Sequence, residues 1–213
     1  MRVGVIGSGV VGETLADGFL KHGHEVMRGS RTPEKLAAWA TSAGERASVG
    51  TFAVTAVYGD VVVLAVKGAA AQEAVAACGD AIAGKIVIDT TNPIDERPPE
   101  AGVVHFFTDH QQSLLERLQA ASPETRFVKA FSCVGNAVMV DPSFKGGRPT
   151  MFICGNDARA KVTVSEILDE FGWDVADMGA AAAARAIEPL CMLWCIPGFL
   201  SQEWHHAFKL LRP

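Results

Sequence analysis

Clustered positive charge is missing from this sequence. Lysine and arginine number 19 against 24 aspartates and glutamates in 213 residues, the formal net charge is −5, and no basic run occurs. Nucleic-acid-binding domains carry a basic patch or stripe, so we expect no nucleic-acid partner. The acidic balance favours solubility and carries no information about the fold.

A long uninterrupted apolar run is also missing. The longest apolar stretch, at 186–200, contains Glu188, Pro189 and Pro197 and is well short of the roughly 20 clean apolar residues that span a membrane. The apolar N-terminus is short, broken by glycine and not preceded by a cationic segment, unlike a signal peptide. We therefore expect a cytoplasmic protein with no membrane partner, in which the apolar stretch forms a buried or interface helix.

Cysteine is scarce and shows no CxxC spacing. The cysteines are odd in number, which fits reduced thiols of a cytoplasmic protein better than a disulfide framework. Cys191 and Cys195 share a helix face, and we expect them to pack in the core, because a metal site normally recruits more ligands. No metal ion is predicted. The five cysteines are Cys78, Cys133, Cys154, Cys191 and Cys195.

Apolar strand patterns alternate with helical patterns over most of the chain. Such alternation predicts a parallel sheet covered by helices on both faces, most commonly the doubly wound α/β arrangement. Thr32 is a possible N-cap, and from 180 onward the chain is predicted to be helical, with interruptions near Pro189 and Pro197. The predicted strands are 2–6, 25–29, 47–50, 60–66, 85–91, 126–131, 150–155 and 173–177, the last two belonging to one further βαβ-like unit.

The first strand is followed by a glycine-rich turn that opens a helix. Gly7, Gly9 and Gly12 fit the pattern GxGxxG in this context. The first glycine allows a tight turn, the second lets the backbone approach a pyrophosphate, and the third lets helix and strand pack closely. Free N–H groups at the helix start then face the phosphates. The predicted dinucleotide-binding residues of this turn are Gly7, Ser8, Gly9, Val10, Val11 and Gly12.

The end of the second strand indicates which dinucleotide is bound. An NAD-binding protein usually has a carboxylate here for the ribose 2′-hydroxyl, whereas in this sequence no carboxylate follows the strand until Glu34. Ser30 and Thr32 offer hydroxyls, Arg31 a fork of donors, and Lys35 a further charge, all suited to a 2′-phosphate. The sequence therefore predicts NADP, bound by a Rossmann domain at 1–178. The short helical segment at 179–213 packs on that domain or on the partner in a possible homodimer.

With IGSGVVG, GSRTPEK and the NP dipeptide at 92–93, the chain resembles the NADP oxidoreductases that use the deazaflavin coenzyme F420. This family lies in a wider group with the N-terminal domain of pyrroline-5-carboxylate reductases and the reductase domain of STEAP-type ferric reductases. The resemblance spans nearly the whole chain. It implies that Ser30, Arg31 and Lys35 grip the 2′-phosphate and that Val66 and Lys67 flank the nicotinamide. It also implies that two segments line the hydride-transfer site, namely Thr91, Asn92 and Pro93 in the first and Phe131–Gly135, including Ser132, in the second.

No side chain stands in a recognisable catalytic motif. Hydride transfer between NADPH and a flavin-like ring depends on orientation, whereas carbonyl reduction normally needs an acid. The candidate acids are Asp89, Lys67, His105 and His110, and none of them is assigned a catalytic role. An apolar acceptor surface, or simply core packing, is expected for a set of large side chains: Phe131, Cys133, Val134, Met192 and Trp194.

Three hypotheses follow. The first is a reductase that passes hydride from NADPH to F420 or a flavin as a small redox co-substrate. The second is a reductase of a small imine or carbonyl substrate, built as a dimer whose C-terminal helices complete each site. The third is a non-catalytic module that senses NADP or binds a partner.

Overall fold

Six short strands form one parallel sheet in the computed structural model, which describes residues 1–213. The strands are β1 (Arg2–Ile6), β2 (Glu25–Gly29), β3 (Ala47–Gly50), β4 (Val61–Leu64), β5 (Ile86–Asp89) and β6 (Arg126–Lys129). They lie in the order β3-β2-β1-β4-β5-β6, and every pairing is parallel. This is the doubly wound order of dinucleotide-binding folds, so the predicted fold class is confirmed.

The apolar run of β4 is explained by its place inside the sheet. Val61 and Val63 belong to one buried cluster, while Val62 and Leu64 belong to another on the opposite face. All four side chains are at most 3% exposed. A central strand of a parallel sheet is covered on both faces and therefore shows no polar alternation.

Helices connect the strands and cover both faces of the sheet. The helices are α1 (Val10–Lys21), α2 (Ala37–Ala43), α3 (Phe52–Tyr58), α4 (Ala71–Ala76), α5 (Leu114–Ala121), α6 (Ala158–Glu170), α7 (Ala184–Ile187) and α8 (Leu190–Ser201). The expected N-cap at Thr32 is not formed, because Pro33–Leu36 is a 3₁₀ turn to which the Thr32 side chain makes no capping bond. The Thr32 N–H instead donates to Ser30 Oγ at 3.1 Å.

The predicted βαβ unit near the C-terminus forms a small sheet of its own. Its strands, β7 (Thr150–Ile153) and β8 (Asp174–Asp177), pair in parallel around α6. A single antiparallel bridge joins this unit to the main sheet, with the Lys129 N–H donating to the Cys154 carbonyl at 2.9 Å.

The C-terminal segment differs from its prediction in two respects. Pro197 lies inside α8 without interrupting it, and residues 202–213 are not helical. Gln202 adopts a left-handed conformation that ends α8. The tail then crosses β7, where the Thr150 N–H donates to the Phe208 carbonyl at 2.8 Å.

By length and composition alone, the helical stretch Ala181–Ser201 is long and apolar enough to cross a membrane, so the expectation that no such stretch exists was wrong. Core helices meet the same criterion. Here the segment carries Glu188, which is 1% exposed and paired with Lys129, and it turns Cys191, Trp194 and Cys195 toward the protein interior.

Candidate cofactor-binding site

The turn between β1 and α1 is built from glycines that the backbone requires. Gly7 has a φ of +146°, and a Cβ there would lie 2.1 Å from the Ala65 carbonyl oxygen. A Cβ on Gly12 would lie 2.7 Å from the Gly7 carbonyl oxygen, so its role is close packing of helix on strand. Gly9, the N-cap of α1, has nothing within 4 Å of its position for a Cβ. The open side of the turn is therefore accessible to a ligand.

A cavity of about 480 Å³ extends from this turn to the end of β2 and across to α4. The glycine turn, the β2 end and the loop after β4 all contribute predicted residues to it. Ala70, Ala74 and Ala77 give it an apolar wall on the α4 side. The predicted residues that line it are Gly7, Ser8, Gly9, Ser30, Arg31, Thr32, Lys35, Val66 and Lys67.

The β2 end of this cavity carries two of its three cationic side chains, the third being Lys67. The Arg31 side chain is 75% exposed, and its Nη1 lies 3.9 Å from Glu73 Oε1 across the cavity. Ser30 is buried, and its Oγ accepts the Thr32 N–H, which leaves its own O–H free to donate. Glu73 is the one carboxylate among the lining residues. The corner thus holds Arg31 and Lys35 against a single acidic side chain.

A second cavity of about 470 Å³ adjoins the first. The two share Gly9, Ala65, Val66 and Lys67, so together they form one cleft at the carboxyl ends of β1, β4 and β5. In doubly wound sheets ligands bind in this crevice, where the strand order reverses. The second cavity is lined by Gly9–Val11, Ala65–Ala69, Thr90–Asn92 and Ile94–Glu96.

The loops after β5 and β6 meet beside the second cavity. Asn92 Nδ2 donates to the Ser132 carbonyl at 2.7 Å, which fixes the side-chain amide and leaves Asn92 Oδ1 buried without a partner. Ser132 Oγ is likewise buried without a partner. The preceding residue, Phe131, has a φ of +60°, a conformation that costs about 1–3 kcal/mol in a non-glycine residue and is typical of functional sites.

Gly12, Pro93 and Ser132 were predicted as site residues, but they line neither cavity. Pro93 is buried, and its carbonyl accepts the Phe107 N–H at 2.9 Å. These three residues therefore support the loops around the cleft.

A buried charge network below Thr91 was not anticipated. Lys129 Nζ lies 2.6 Å from Asp89 Oδ2 and 2.9 Å from Glu188 Oε1, and it donates to the Thr91 carbonyl at 2.8 Å. Burial by itself lowers the pKa of Lys129, but the two carboxylates outweigh burial and raise it. Asp89 Oδ1 also accepts both the N–H and the hydroxyl of Thr91. The sequence does contain a signal for this network, because Asp89 and Lys129 are opposite charges at the ends of two apolar strands. In the sheet the two residues pair in register.

The other chemical candidates lie apart from the cleft. His105, His110 and Met192 line a separate cavity of about 420 Å³. Trp194 packs on Gly135, where a Cβ would lie 2.5 Å from its ring. Burial raises the pKa of Cys133 to about 12, so its thiol remains protonated. Phe131 and Val134 also belong to the core. Of the titratable side chains, Lys67 lines both cavities, and Asp95 and Glu96 line the second cavity.

Comparison with known proteins gives consistent matches. Residues 2–93 match the sequence profile of a family described as coenzyme F420-dependent NADP oxidoreductases. The solved structure of a candidate F420-dependent NADP reductase from Arthrobacter sp. FB24 is 33% identical, with a TM-score of 0.92 over 100% of both chains. The hypothetical protein SMa0349 of Sinorhizobium meliloti is 27% identical, with a TM-score of 0.72 over 88% of this chain and 89% of that chain. Metalloreductase STEAP3 of Rattus norvegicus is 31% identical over 204 residues, which represent 94% of this chain but only 39% of the rat protein.

Proposed function

Because the chain belongs to the family of F420-dependent NADP oxidoreductases, and is therefore an NADP-dependent reductase, we propose that it transfers hydride between NADPH and a deazaflavin or flavin-type acceptor. The observation that carries the proposal is one continuous cleft. Its β2 end is cationic, its centre is the open glycine turn, and its far end is a cavity bordered by Thr91 and Asn92.

The residues present fit NADP. A Cβ-free surface at Gly9 admits a pyrophosphate to the N-terminus of α1. Arg31 and Lys35, with the free hydroxyl of Ser30, would hold the 2′-phosphate. The alanine wall of α4 would cover the adenine.

The second cavity would hold the nicotinamide and the acceptor. When bound, NADPH supplies the hydride, and the cofactor and acceptor carry the reactivity themselves. The chain's contribution is orientation and exclusion of water: Val10, Val11 and Val66 give an apolar surface, and Asn92 Oδ1 offers a buried acceptor for an N–H donor. A flat acceptor needs no side-chain acid. The titratable side chains that line this cavity are Lys67, Asp95 and Glu96.

The acceptor is tested by following NADPH oxidation with F420, FMN and FAD, and with ferric citrate because the rat relative is named a metalloreductase. We expect turnover with F420 or a flavin, and a rate that changes little in the variant Lys67→Met. Failure of F420, FMN and FAD to oxidise enzyme-bound NADPH would refute the proposal.

A reductase of a small imine or carbonyl substrate is the second candidate, favoured by the position of Lys67 between the two cavities. A protonated Lys67 would be placed to give a proton to a developing anion. This candidate is supported if Lys67→Met abolishes turnover of such a substrate and removes one ionisation from the pH–rate profile, while NADPH binding is unchanged.

A further inference from the structure

We propose that Arg28 is a positioning residue for the dinucleotide pyrophosphate, acting as a buried cation beneath the glycine turn without touching the ligand. The proposal rests on the proposed function, since it assumes that the turn binds NADPH. Arg28 is the fourth residue of β2, and its side chain is 0% exposed. Full burial of a charged side chain is uncommon unless it is paired.

Both hydrogen-bond partners of Arg28 belong to the start of α1. Nη1 donates to Glu13 Oε2 at 3.0 Å, and Nη2 donates to the Gly9 carbonyl at 3.4 Å. That carbonyl also accepts the Glu13 N–H at 3.0 Å. The guanidinium carbon also lies over the Trp39 ring, 4.8 Å from its centre, in a cation–π contact. Arg28 therefore fixes the carbonyl of the very residue whose open side faces the cleft.

Neutralisation of Arg28 is incomplete. Its only carboxylate partner, Glu13, has a side chain that is 54% exposed, so solvent screens much of that negative charge. Arg28 Nε has no partner. A buried cation with a half-solvated counter-ion leaves positive potential in the low-dielectric region under the turn.

This potential adds to the attraction that the N-terminus of α1 already exerts on anions. It acts on the pyrophosphate, which NADPH and NADH share, whereas Arg31 faces the corner predicted for the 2′-phosphate. Arg28 therefore sets affinity for both dinucleotides, and Arg31 sets the preference between them. The negative charge of Glu13 offsets the positive charge of Arg28. Neutralising Glu13 should therefore change nucleotide affinity in a direction that tests the proposal.

The decisive variant is Glu13→Gln in the full chain, titrated with NADPH and with NADH by calorimetry at low and high salt. If the charge of Arg28 acts on the pyrophosphate, both nucleotides bind more tightly, by about two- to fivefold at low salt, and the gain shrinks at high salt. Glu166→Gln is the matched control, because it removes an exposed carboxylate on α6 and should leave both affinities unchanged.

Other outcomes overturn the inference. If the Arg28–Glu13 pair only maintains the shape of the turn, Glu13→Gln lowers the affinity for both nucleotides. If the charge of Arg28 does not act at the binding site, the affinity for both nucleotides is unchanged. Failure of the wild-type chain to bind NADPH would instead refute the proposed function. Arg28→Gln, scored for folding by thermal unfolding, is expected to weaken NADPH and NADH by the same factor.

Discussion

Arg31 is the single arginine among the residues that line the cleft. Its guanidinium is exposed and close to only one carboxylate, that of Glu73. An NAD-binding site would place a carboxylate at this end of β2 to accept the ribose hydroxyls. A 2′-phosphate on NADP would instead meet a planar fork of donors.

Replacing Arg31 by alanine tests this assignment directly. We expect Arg31→Ala to weaken NADPH binding by on the order of 1.5–3 kcal/mol, the value of a hydrogen bond to a charged group, and to leave NADH binding nearly unchanged. Calorimetric titration with each nucleotide gives the two values. Arg126→Ala, which removes a half-exposed arginine paired with Asp157, is the control. Equal losses for NADPH and NADH would contradict the assignment.

Individual residues were predictable from the sequence where backbone geometry or charge fixes their type. Gly7 and Gly12 are required by contacts within the turn, and the cationic β2 end could be recognised because no carboxylate lies between Glu25 and Glu34. Ser132 and Pro93 were predicted from the family resemblance, and neither lines either cavity. Their sequence position shows that they follow strands, but it does not show which side chains face the cleft.

The ends of β5 and β6 are joined to the C-terminal helices by one buried ion network. Lys129 forms ion pairs with Asp89 and Glu188 and donates a hydrogen bond to the Thr91 carbonyl. Glu188 in turn accepts the N–H groups of Leu114 and Leu115 at the start of α5. The network therefore joins two strands, two helical segments and the loop that carries Asn92.

Lys129→Met should leave two buried carboxylates without their cation. We expect a loss of about 3–5 kcal/mol in the free energy of unfolding, the usual cost of breaking a buried ion pair. Without Nζ, the two carboxylates are left buried with no counter-ion. We therefore expect the deficit relative to wild type to be present at neutral pH and to shrink on acidification.

Urea unfolding of both proteins at several pH values between 7 and 4 measures this deficit. Lys145→Met, at an exposed lysine, is the control and should change stability by no more than about 0.5 kcal/mol. A deficit below about 1 kcal/mol at neutral pH, or one that grows on acidification, would show that the network is not held by charge in the way described.

At the scale of the whole molecule, the strand order of the main sheet could be anticipated, because right-handed crossovers between parallel strands leave few arrangements. That β7 and β8 form a separate sheet could not be anticipated. They are linked to β6 by one bridge, between Lys129 and Cys154, two residues far apart in sequence. The tail after α8 was missed for the same reason. Its conformation depends on Thr150 and Phe208, a pairing that no local pattern encodes.

The outer face of α8 remains apolar. Leu193, Phe199 and Leu200 are 54%, 42% and 66% exposed, although the same helix buries Trp194 against Gly135 beside the loop after β6. Clustered apolar exposure of this kind is typical of interaction surfaces. We therefore expect a second copy of the chain to dock on this face in the predicted homodimer.

Leu193→Glu tests that prediction. If α8 is the seam of a homodimer, a carboxylate there has to be desolvated in the interface, so association weakens while the fold is retained. Sedimentation equilibrium should give twice the monomer mass for the wild type and the monomer mass for the variant. The monomeric variant should still unfold cooperatively on heating, which shows that its fold is retained. Leu211→Glu, at a leucine that is 80% exposed outside α8, should remain dimeric. A wild-type chain that is monomeric at high concentration would rule out the dimer and leave α8 as an exposed face of a single-chain enzyme.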